Sequence, residues 1–161
     1  MAAARAPAEV LPGRNGRIAF QSNRDGDDEI YSVAADGTDL VQLTTNTAAD
    51  QGPVWSPDGT RIAFTSNRSG THDIWVMGAD GSNPTRLTTA STSELLPTWS
   101  PDGTRLAYVV DEGAGAQKVW VMDADGTDLL NLSGEGSIVD TTPAWSPDGT
   151  EIAFSRFNTL M

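Results

Sequence analysis

The stretch WSPDGT at residues 55–60 recurs letter for letter at residues 99–104 and 145–150. A catalytic group is normally needed once, so a hexapeptide used three times at nearly constant spacing indicates an architectural repeat. Each copy predicts a tight hairpin turn, because proline presets φ at the second turn position and glycine accepts the left-handed conformation that follows. The repeat, rather than a catalytic motif, is therefore the starting point for the fold.

Further strands come into register when the chain is aligned on WSPDGT. Ile18, Ile62, Leu106 and Ile152 begin equivalent runs such as Ile-Ala-Phe, and they stand 44, 44 and 46 residues apart. Each of the first three periods continues with a second apolar run, which reads EIYSV, DIWVM or KVWVM. An Asp-Gly turn follows this run, and the period ends with a short segment that closes in Leu-Thr or Leu-Ser. Each period therefore predicts four short β-strands divided by turn signals.

These strands are apolar on both faces, unlike the strands of a sheet with one wet side. Residues 74–77 read Ile-Trp-Val-Met and residues 62–64 read Ile-Ala-Phe, so such sheets have to be covered on both sides. Four-stranded antiparallel sheets of about 40 to 50 residues, packed against copies of themselves, are the blades of a β-propeller. The predicted fold is all-β, a partial β-propeller with a repeat of 44 to 46 residues.

The repeat resembles the WD-repeat-like blades of TolB-type β-propellers. The pattern that carries the resemblance is P-x-W-S-P-D-G-T-x-I-A-F-x-S-N-R-x-G, then I-[YW]-V-M-x-A-D-G, then L-T, over residues 15–157. It implies that the tryptophan run is the innermost strand of each blade and the Leu-Thr run the outermost. It also implies a bacterial periplasmic or secreted protein, although the first residues lack the apolar segment of a secretory signal. The α/β domain that precedes the blades in TolB is not expected in this chain.

About three and a half blades are predicted. Residues 1–14 are expected to be a flexible leader. The blades are 15–52 (lacking its inner strand), 53–96, 97–142, and 143–161 (inner and second strands only). Because known propellers close with about four or more blades, a lone copy would leave apolar faces and strand edges exposed. A second copy, or the remainder of a longer chain, is expected to close the ring.

The composition excludes several classes of function. The 161 residues include no cysteine, which rules out disulfides, thiolate metal sites and cysteine nucleophiles. A net charge of −12 disfavours nucleic acid and anionic lipid as partners, and no stretch reaches the roughly 18 apolar residues of a membrane span. His72 is the only histidine, and no G-x-S-x-G, P-loop or complete G-x-G-x-x-G motif accompanies it. We therefore expect no enzyme activity from this chain.

The candidate binding residues precede the inner strands, in loops that differ most between periods: 45–52, 89–96 and 133–142. The leading hypothesis is a non-enzymatic protein- or peptide-binding scaffold. Its site residues are predicted to be Asp50, Gln51, Glu94, Leu95, Asp140 and Thr141. No metal or other cofactor is expected, since turn acids generally bond turn amides. If Ca²⁺ binds at the mouth of the central channel, its ligands would be Asp50, Glu94 and Asp140.

An alternative is that the blades gate substrate access to a prolyl-oligopeptidase-like serine peptidase whose catalytic domain lies outside this chain. A G-x-S-x-G elbow in a continuing reading frame would distinguish this alternative from the scaffold. The five tryptophans recur at equivalent strand positions. They are therefore expected to pack between blades rather than to stack on a ligand.

Overall fold

Thirteen β-strands make up the described part of this computed structural model, which covers residues 16–158 apart from 135 and 137. They are β1 (Arg17–Ser22), β2 (Glu29–Ala34), β3 (Val41–Gln42), β4 (Asp50–Trp55), β5 (Arg61–Ser66), β6 (Asp73–Gly78), β7 (Thr85–Arg86), β8 (Ser93–Trp99), β9 (Arg105–Gly113), β10 (Ala116–Asp123), β11 (Leu130–Asn131), β12 (Ile138–Trp145) and β13 (Ile152–Asn158). Within those residues, no helix is long and apolar enough to cross a membrane. The expected leader, residues 1–14, lies outside the described residues.

The strands form consecutive antiparallel blades. The first blade is β1–β2–β3, the second β4–β5–β6–β7, and the third β8–β9–β10–β11. The hairpin β12–β13 begins a fourth blade and joins the third through one parallel bridge between Gln117 and Val139. Because β4 contacts β8 and β8 contacts β12, these three are the inner strands, and β3, β7 and β11 are the outer ones. The predicted all-β partial propeller is confirmed.

The inner strands begin earlier than the blade boundaries that the sequence suggested. They start at Asp50, Ser93 and Ile138, whereas the boundaries were placed at residues 53, 97 and 143. A proline follows a β-bulge inside each of these strands, as shown by a shift in register between Gln51 and Val54 and at the two equivalent places. In a sequence, a proline suggests the boundary of a strand, because proline occurs in sheets only at edge strands, strand starts and bulges. The predicted boundaries therefore fell at or beside these prolines.

The WSPDGT turns are closed by a repeated hydrogen-bond network. In the first copy the Gly59 amide donates to the Ser56 carbonyl at 2.8 Å, and the Ser56 hydroxyl donates to Asp58 Oδ1 at 2.5 Å. Gly59 has φ +68°, as the turn type requires. Asp58 also accepts the Thr60 amide at 3.1 Å. The serine hydroxyl and this amide lower the pKa of the turn aspartates, to about 2 in Asp102 and Asp148.

Turns contact the neighbouring blade, which explains why the same turn residues recur in each blade. A Cβ on Gly81 would lie 2.6 Å from the Leu43 carbonyl oxygen of the preceding blade, so only glycine fits at this close approach. A Cβ on Gly103 would lie 3.5 Å from Pro57 Cδ. The same two contacts recur one blade further, between Gly126 and Leu87 and between Gly149 and Pro101. The turns are therefore packing surfaces between blades as well as chain reversals.

The hydrophobic core lies between blades. One cluster joins the first and second blades through Ile30, Ile62, Phe64 and Met77, with Trp55 and Trp75 packed against it. The other joins the second and third blades and consists of Ala63, Ile74, Val76, Trp99, Leu106, Tyr108, Val110 and Met122, with Trp120 packed against it. Four of the five tryptophans therefore pack between blades as predicted, and Trp145 is half-buried.

The end faces, which are the outer faces of the first and last blades, are more exposed than the faces between blades. Ile18 of the first blade is 53% exposed, whereas its equivalent Ile62 is fully buried. At the other end Phe157 is exposed, and Leu132 is more exposed than Leu43 and Leu87, on which the next blade's glycine rests. These apolar faces are the ones that a further blade would cover.

Candidate functional site

Each blade junction holds a buried pair of side chains. A charged residue at or near the start of each blade's third strand (β2, β6 or β10) faces an acid on the inner strand of the next blade. All six side chains are at most 2% exposed, and the pairs are Glu29 with Asp50, Asp73 with Glu94, and Lys118 with Asp140. In the first two junctions the backbone also bridges the blades, because Asp50 N donates to Asp28 O and Glu94 N to His72 O, both at 2.7 Å.

The first junction places two carboxyl groups beside one guanidinium. Arg68 donates to Asp50 Oδ2 at 2.6 Å, and the Asn46 side-chain amide donates to the same oxygen at 2.8 Å. Asn46 also donates to Glu29, through its side chain at 3.4 Å. Burial and the nearby Asp50 raise the pKa of Glu29. Asp50 carries the ion pair with Arg68.

The second junction also has two carboxyl groups, but here the arginine binds the acid of the third strand, Asp73, and not the acid of the inner strand. Arg86 donates to Asp73 Oδ1 at 2.8 Å, while Glu94 accepts from the Thr92 hydroxyl at 2.7 Å. Burial, followed by the nearby Asp73, raises the pKa of Glu94. Glu94 Oε2 is buried and has no hydrogen-bond partner in the described part of the chain. Protonation of Glu94 would therefore relieve a buried like-charge contact.

In the third junction the acid, Asp140, lies between two cations, Arg156 and Lys118. Arg156 donates from Nε and Nη2 to the two carboxylate oxygens of Asp140, at 2.8 and 2.7 Å. This bidentate pair is the main cause of the lowered pKa of Asp140, and the charge of Lys118 adds to it. The Lys118 ammonium also donates to the Gly136 carbonyl. A buried lysine thus occupies the position that an acid takes in the other two junctions.

The candidate acids are therefore strand residues of the junctions. Asp50, Glu94 and Asp140 were predicted on loops, but they lie in β4, β8 and β12 with their carboxyl groups turned into separate junctions. The sequence could not reveal this because the residues that they face, Glu29, Asp73 and Lys118, come from the preceding blade. Across the described ranges, no three or more His, Cys, Asp or Glu residues are grouped to hold a metal ion. The expectation that no metal binds, with Ca²⁺ at the channel mouth as the open alternative, stays a prediction.

The other three candidates lie next to a repeated backbone feature. Gln51, Leu95 and Thr141 are half-buried, and Gln51 donates to Asp28 Oδ2 at 2.6 Å. The residue after each has a left-handed backbone: φ is +58° at Gly52, +54° at Leu96 and +53° at Thr142. These three residues are the inner-strand bulges.

Two of the inner-strand bulges carry side chains that disfavour this conformation. Left-handed φ costs a leucine or threonine about 1–3 kcal/mol, and such residues cluster at functional sites. Leu96 is 48% exposed and Thr142 is exposed. These bulges were not predicted from the sequence, although a proline follows each of them. Glu29, Asp73 and Lys118, the first residues of the EIYSV, DIWVM and KVWVM runs, were not predicted as site residues either.

Glu94→Gln is expected to raise the free energy of unfolding at pH 7 by about 0.5–1.5 kcal/mol. The folded-state pKa of Glu94 is raised above its ordinary 4.5, so the stability from its protonated form is full below that value and is lost as pH rises through the folded pKa. Glutamine keeps an acceptor for Thr92 and offers an amide to Asp73, whose other charged neighbour is Arg86. Urea unfolding from pH 4 to pH 8 measures the change.

The matched control is Glu112→Gln, which alters an exposed acid and should leave the pH slope of unfolding unchanged. Glu29 still titrates in both variants, so the slope should be reduced in Glu94→Gln rather than abolished. A variant less stable than the parent at pH 7 would show that Glu94 functions as a carboxylate.

Four-stranded blades joined by stacked Ser-Pro-Asp-Gly turns, with inner strands that contact one another in series, define a β-propeller. Within this class, residues 4–158 match the family model of the TolB beta propeller domain. The chain belongs to this family.

Similar proteins agree with this assignment over parts of their length. The chain is 43% identical over 56 residues to the Protein TolB homolog of Chlorobaculum tepidum, and 42% identical over 55 residues to the Tol-Pal system protein TolB of Desulfosudis oleivorans. Each match covers 32% of this chain and 13% of the relative. The solved structure of a putative TolB from Agrobacterium tumefaciens superimposes with a TM-score of 0.74 at 29% identity, over 89% of this chain and 56% of that one. The chain thus spans about half of that structure and a small part of the curated relatives.

Proposed function

We propose that this chain is a non-enzymatic propeller scaffold that binds a protein or peptide at the inner-strand bulges. The observation that supports this is the set of different residues, Gly52, Leu96 and Thr142, held in one repeated left-handed backbone conformation, which is strained in Leu96 and Thr142. A rigid frame that presents different side chains at equivalent places suits recognition. Two of them are exposed, including an apolar leucine.

The proposed binding face also includes the loops that the sequence singled out. Residues 45–49 and 89–92 lead into inner strands, and the turns at 67–72 and 114–115 join second to third strands at the same ends of their blades. Gln51, Leu95 and Thr141 lie between these loops and the bulges. The buried acids Asp50, Glu94 and Asp140 support the face from below by fixing the blade junctions.

A protein or peptide is the proposed partner class. The acidic turns, whose aspartates have lowered pKa values, disfavour nucleic acid. One relative is a Tol-Pal system protein by name, and a periplasmic or secreted location is proposed by resemblance. A second copy, or the remainder of a longer chain, is proposed to cover the end faces that leave Ile18 and Phe157 exposed.

The double variant Leu96→Asn/Thr142→Asn tests the binding face. Asparagine tolerates left-handed φ better than leucine or threonine, so the variant should fold at least as stably as the parent while losing both side chains. Peptides selected from a displayed random library on the parent chain should bind the variant about tenfold more weakly, a loss of about 1.4 kcal/mol. Calorimetric titration measures both affinities.

Leu130→Asn is the matched control, since Leu130 is an exposed leucine on the outer strand β11. It should leave peptide affinity unchanged. Equal losses in the control and the double variant, or a library that yields no binder, would contradict the proposal. The absence of binders would favour the alternative, a gating propeller of a serine peptidase.

A further inference from the structure

The second junction differs from the other two in what faces its inner-strand acid. In the first junction the side-chain amide of Asn46 donates to both acids, to Asp50 Oδ2 at 2.8 Å and to Glu29 Oε2 at 3.4 Å. In the third junction a buried lysine, Lys118, takes the place of one acid and faces Asp140. Each of these two junctions therefore contains a donor from the chain itself beside its inner-strand acid.

The second junction lacks such a donor because of one residue in the loop before β8. Asn46 lies four residues before Asp50, and the residue four before Glu94 is Ala90. The two positions are equivalent, because both loops have the same length after the Leu-Thr-Thr that follows each outer strand. A methyl group can neither donate a hydrogen bond nor carry charge. In the described part of the chain, no side-chain donor therefore bridges Asp73 and Glu94.

Glu94 is also the one inner-strand acid of the three junctions that binds no cationic side chain within the described ranges. The acids of the first and third junctions each bind an arginine, at 2.6 and 2.7 Å. The arginine of the second junction, Arg86, binds Asp73 instead.

The Glu94 carboxylate has one buried oxygen without a donor. Its Oε1 accepts from the Thr92 hydroxyl, and its Oε2 has no partner among the residues that the structure describes. Glu94 is only 2% exposed, so bulk water does not solvate this oxygen. A buried carboxylate oxygen in this state is unfavourable, and it is suited to a cation that the chain itself does not supply.

The charges and oxygens of the second junction indicate which cation fits. Two carboxylates, Asp73 and Glu94, and one guanidinium, Arg86, leave one negative charge uncompensated, which a single monovalent cation balances. Ca²⁺ is less suited, because it takes about six to eight oxygen ligands. Within the described ranges, no three acidic or histidine residues are grouped to provide them.

We propose that the second junction binds one monovalent metal cation of the sodium type between Asp73 and Glu94. Glu94 Oε2 is its main ligand. The cation takes the part that Asn46 and Lys118 play in the other junctions, and it holds the third strand of one blade to the inner strand of the next. This differs from the expectation that no metal binds. It also differs from a Ca²⁺ site at the channel mouth, because the ligands come from one junction.

Unfolding of the full chain in matched salts tests the site. Urea denaturation is measured at pH 8 in sodium chloride and in choline chloride at equal concentration, so that ionic screening is the same. A cation that binds only the folded chain lowers the unfolding equilibrium constant, by about tenfold at ten times its Kd. Sodium should therefore stabilise the parent relative to choline. Equal stability in the two salts, or stabilisation by calcium chloride alone, would overturn the proposal.

Ala90→Asn supplies the amide that Asn46 provides in the first junction, so it should remove the difference between sodium and choline. Ala90 is exposed in a loop, and the variant is expected to fold. Glu94→Gln, which carries an amide of its own, should also lose the sodium effect. Thr89→Asn is the matched control, because it introduces the same residue at the neighbouring exposed position and should keep the full effect. A sodium effect that persists in both Ala90→Asn and Glu94→Gln would contradict the proposal.

Sodium NMR measures binding without unfolding the protein. The sodium line should broaden when the parent chain is added, because the bound ion exchanges with a buried and asymmetric site. An equal concentration of Glu94→Gln should broaden the line less. The same broadening by both proteins would show that sodium binds elsewhere on the acidic surface, and it would overturn the assignment to this junction.

Discussion

Trp99→Ala is expected to lower the free energy of unfolding by about 3–5 kcal/mol, the range for removing a large buried aromatic side chain. Trp99 is 7% exposed and lies in the core cluster between the second and third blades. Its indole donates to the Val54 carbonyl, and Arg61 lies over its ring at 4.6 Å. Urea denaturation followed by circular dichroism measures the loss.

Trp99→Phe separates the contribution of the buried aromatic ring from that of the indole hydrogen bond. It keeps most of the apolar contact and loses the indole hydrogen bond, so the expected decrease is smaller, about 1 kcal/mol for the bond and some added packing loss. Trp145→Ala, at the equivalent but half-buried position, should cost less than Trp99→Ala. A change under about 0.5 kcal/mol in Trp99→Ala would contradict a packing role and point to a ligand-stacking one.

Asp140→Ala is expected to destabilise the chain by about 3–5 kcal/mol, because it leaves a buried charge without its partner. Lys118 is 2% exposed and faces Asp140, whose remaining partner Arg156 lies nearer the surface. Chemical unfolding at pH 7 measures the loss. The third junction should therefore be the most sensitive of the three to removal of its acid.

Two matched variants test this explanation. Lys118→Met/Asp140→Leu replaces the buried charges by apolar side chains and should recover much of the lost stability. Asp50→Asn removes the equivalent acid of the first junction, where it also relieves the contact with Glu29, and should cost less than Asp140→Ala. If Asp50→Asn proves the more damaging change, the carboxyl pair of the first junction is held together by more than Arg68.

The strands and turns could be predicted because they depend on neighbouring residues. Proline and glycine set the backbone of each WSPDGT turn, and the Ser56 hydroxyl and Asp58 carboxyl close it within six residues. The apolar runs on both faces then required a cover on each side, which the two interblade clusters provide.

The candidate site was harder to predict because its chemistry is made by residues far apart in sequence. Whether Asp50 faces solvent or a junction depends on Glu29 of the preceding blade and on Arg68, 18 residues further along the chain. The left-handed backbone of Leu96 carries no sequence signature of its own, since leucine is a poor choice for that conformation. The proline that follows each bulge was the available signal.

The three junctions are chemically different, and this makes the order of the blades specific. Exchanging the second and third blades would bring Glu29 against Glu94, two acids with neither Arg68 nor Arg86 between them. The repeats are therefore not interchangeable modules. Each blade carries on its two sides charged residues that match particular neighbours. Shuffling or duplicating a blade therefore requires new charges at both of its junctions.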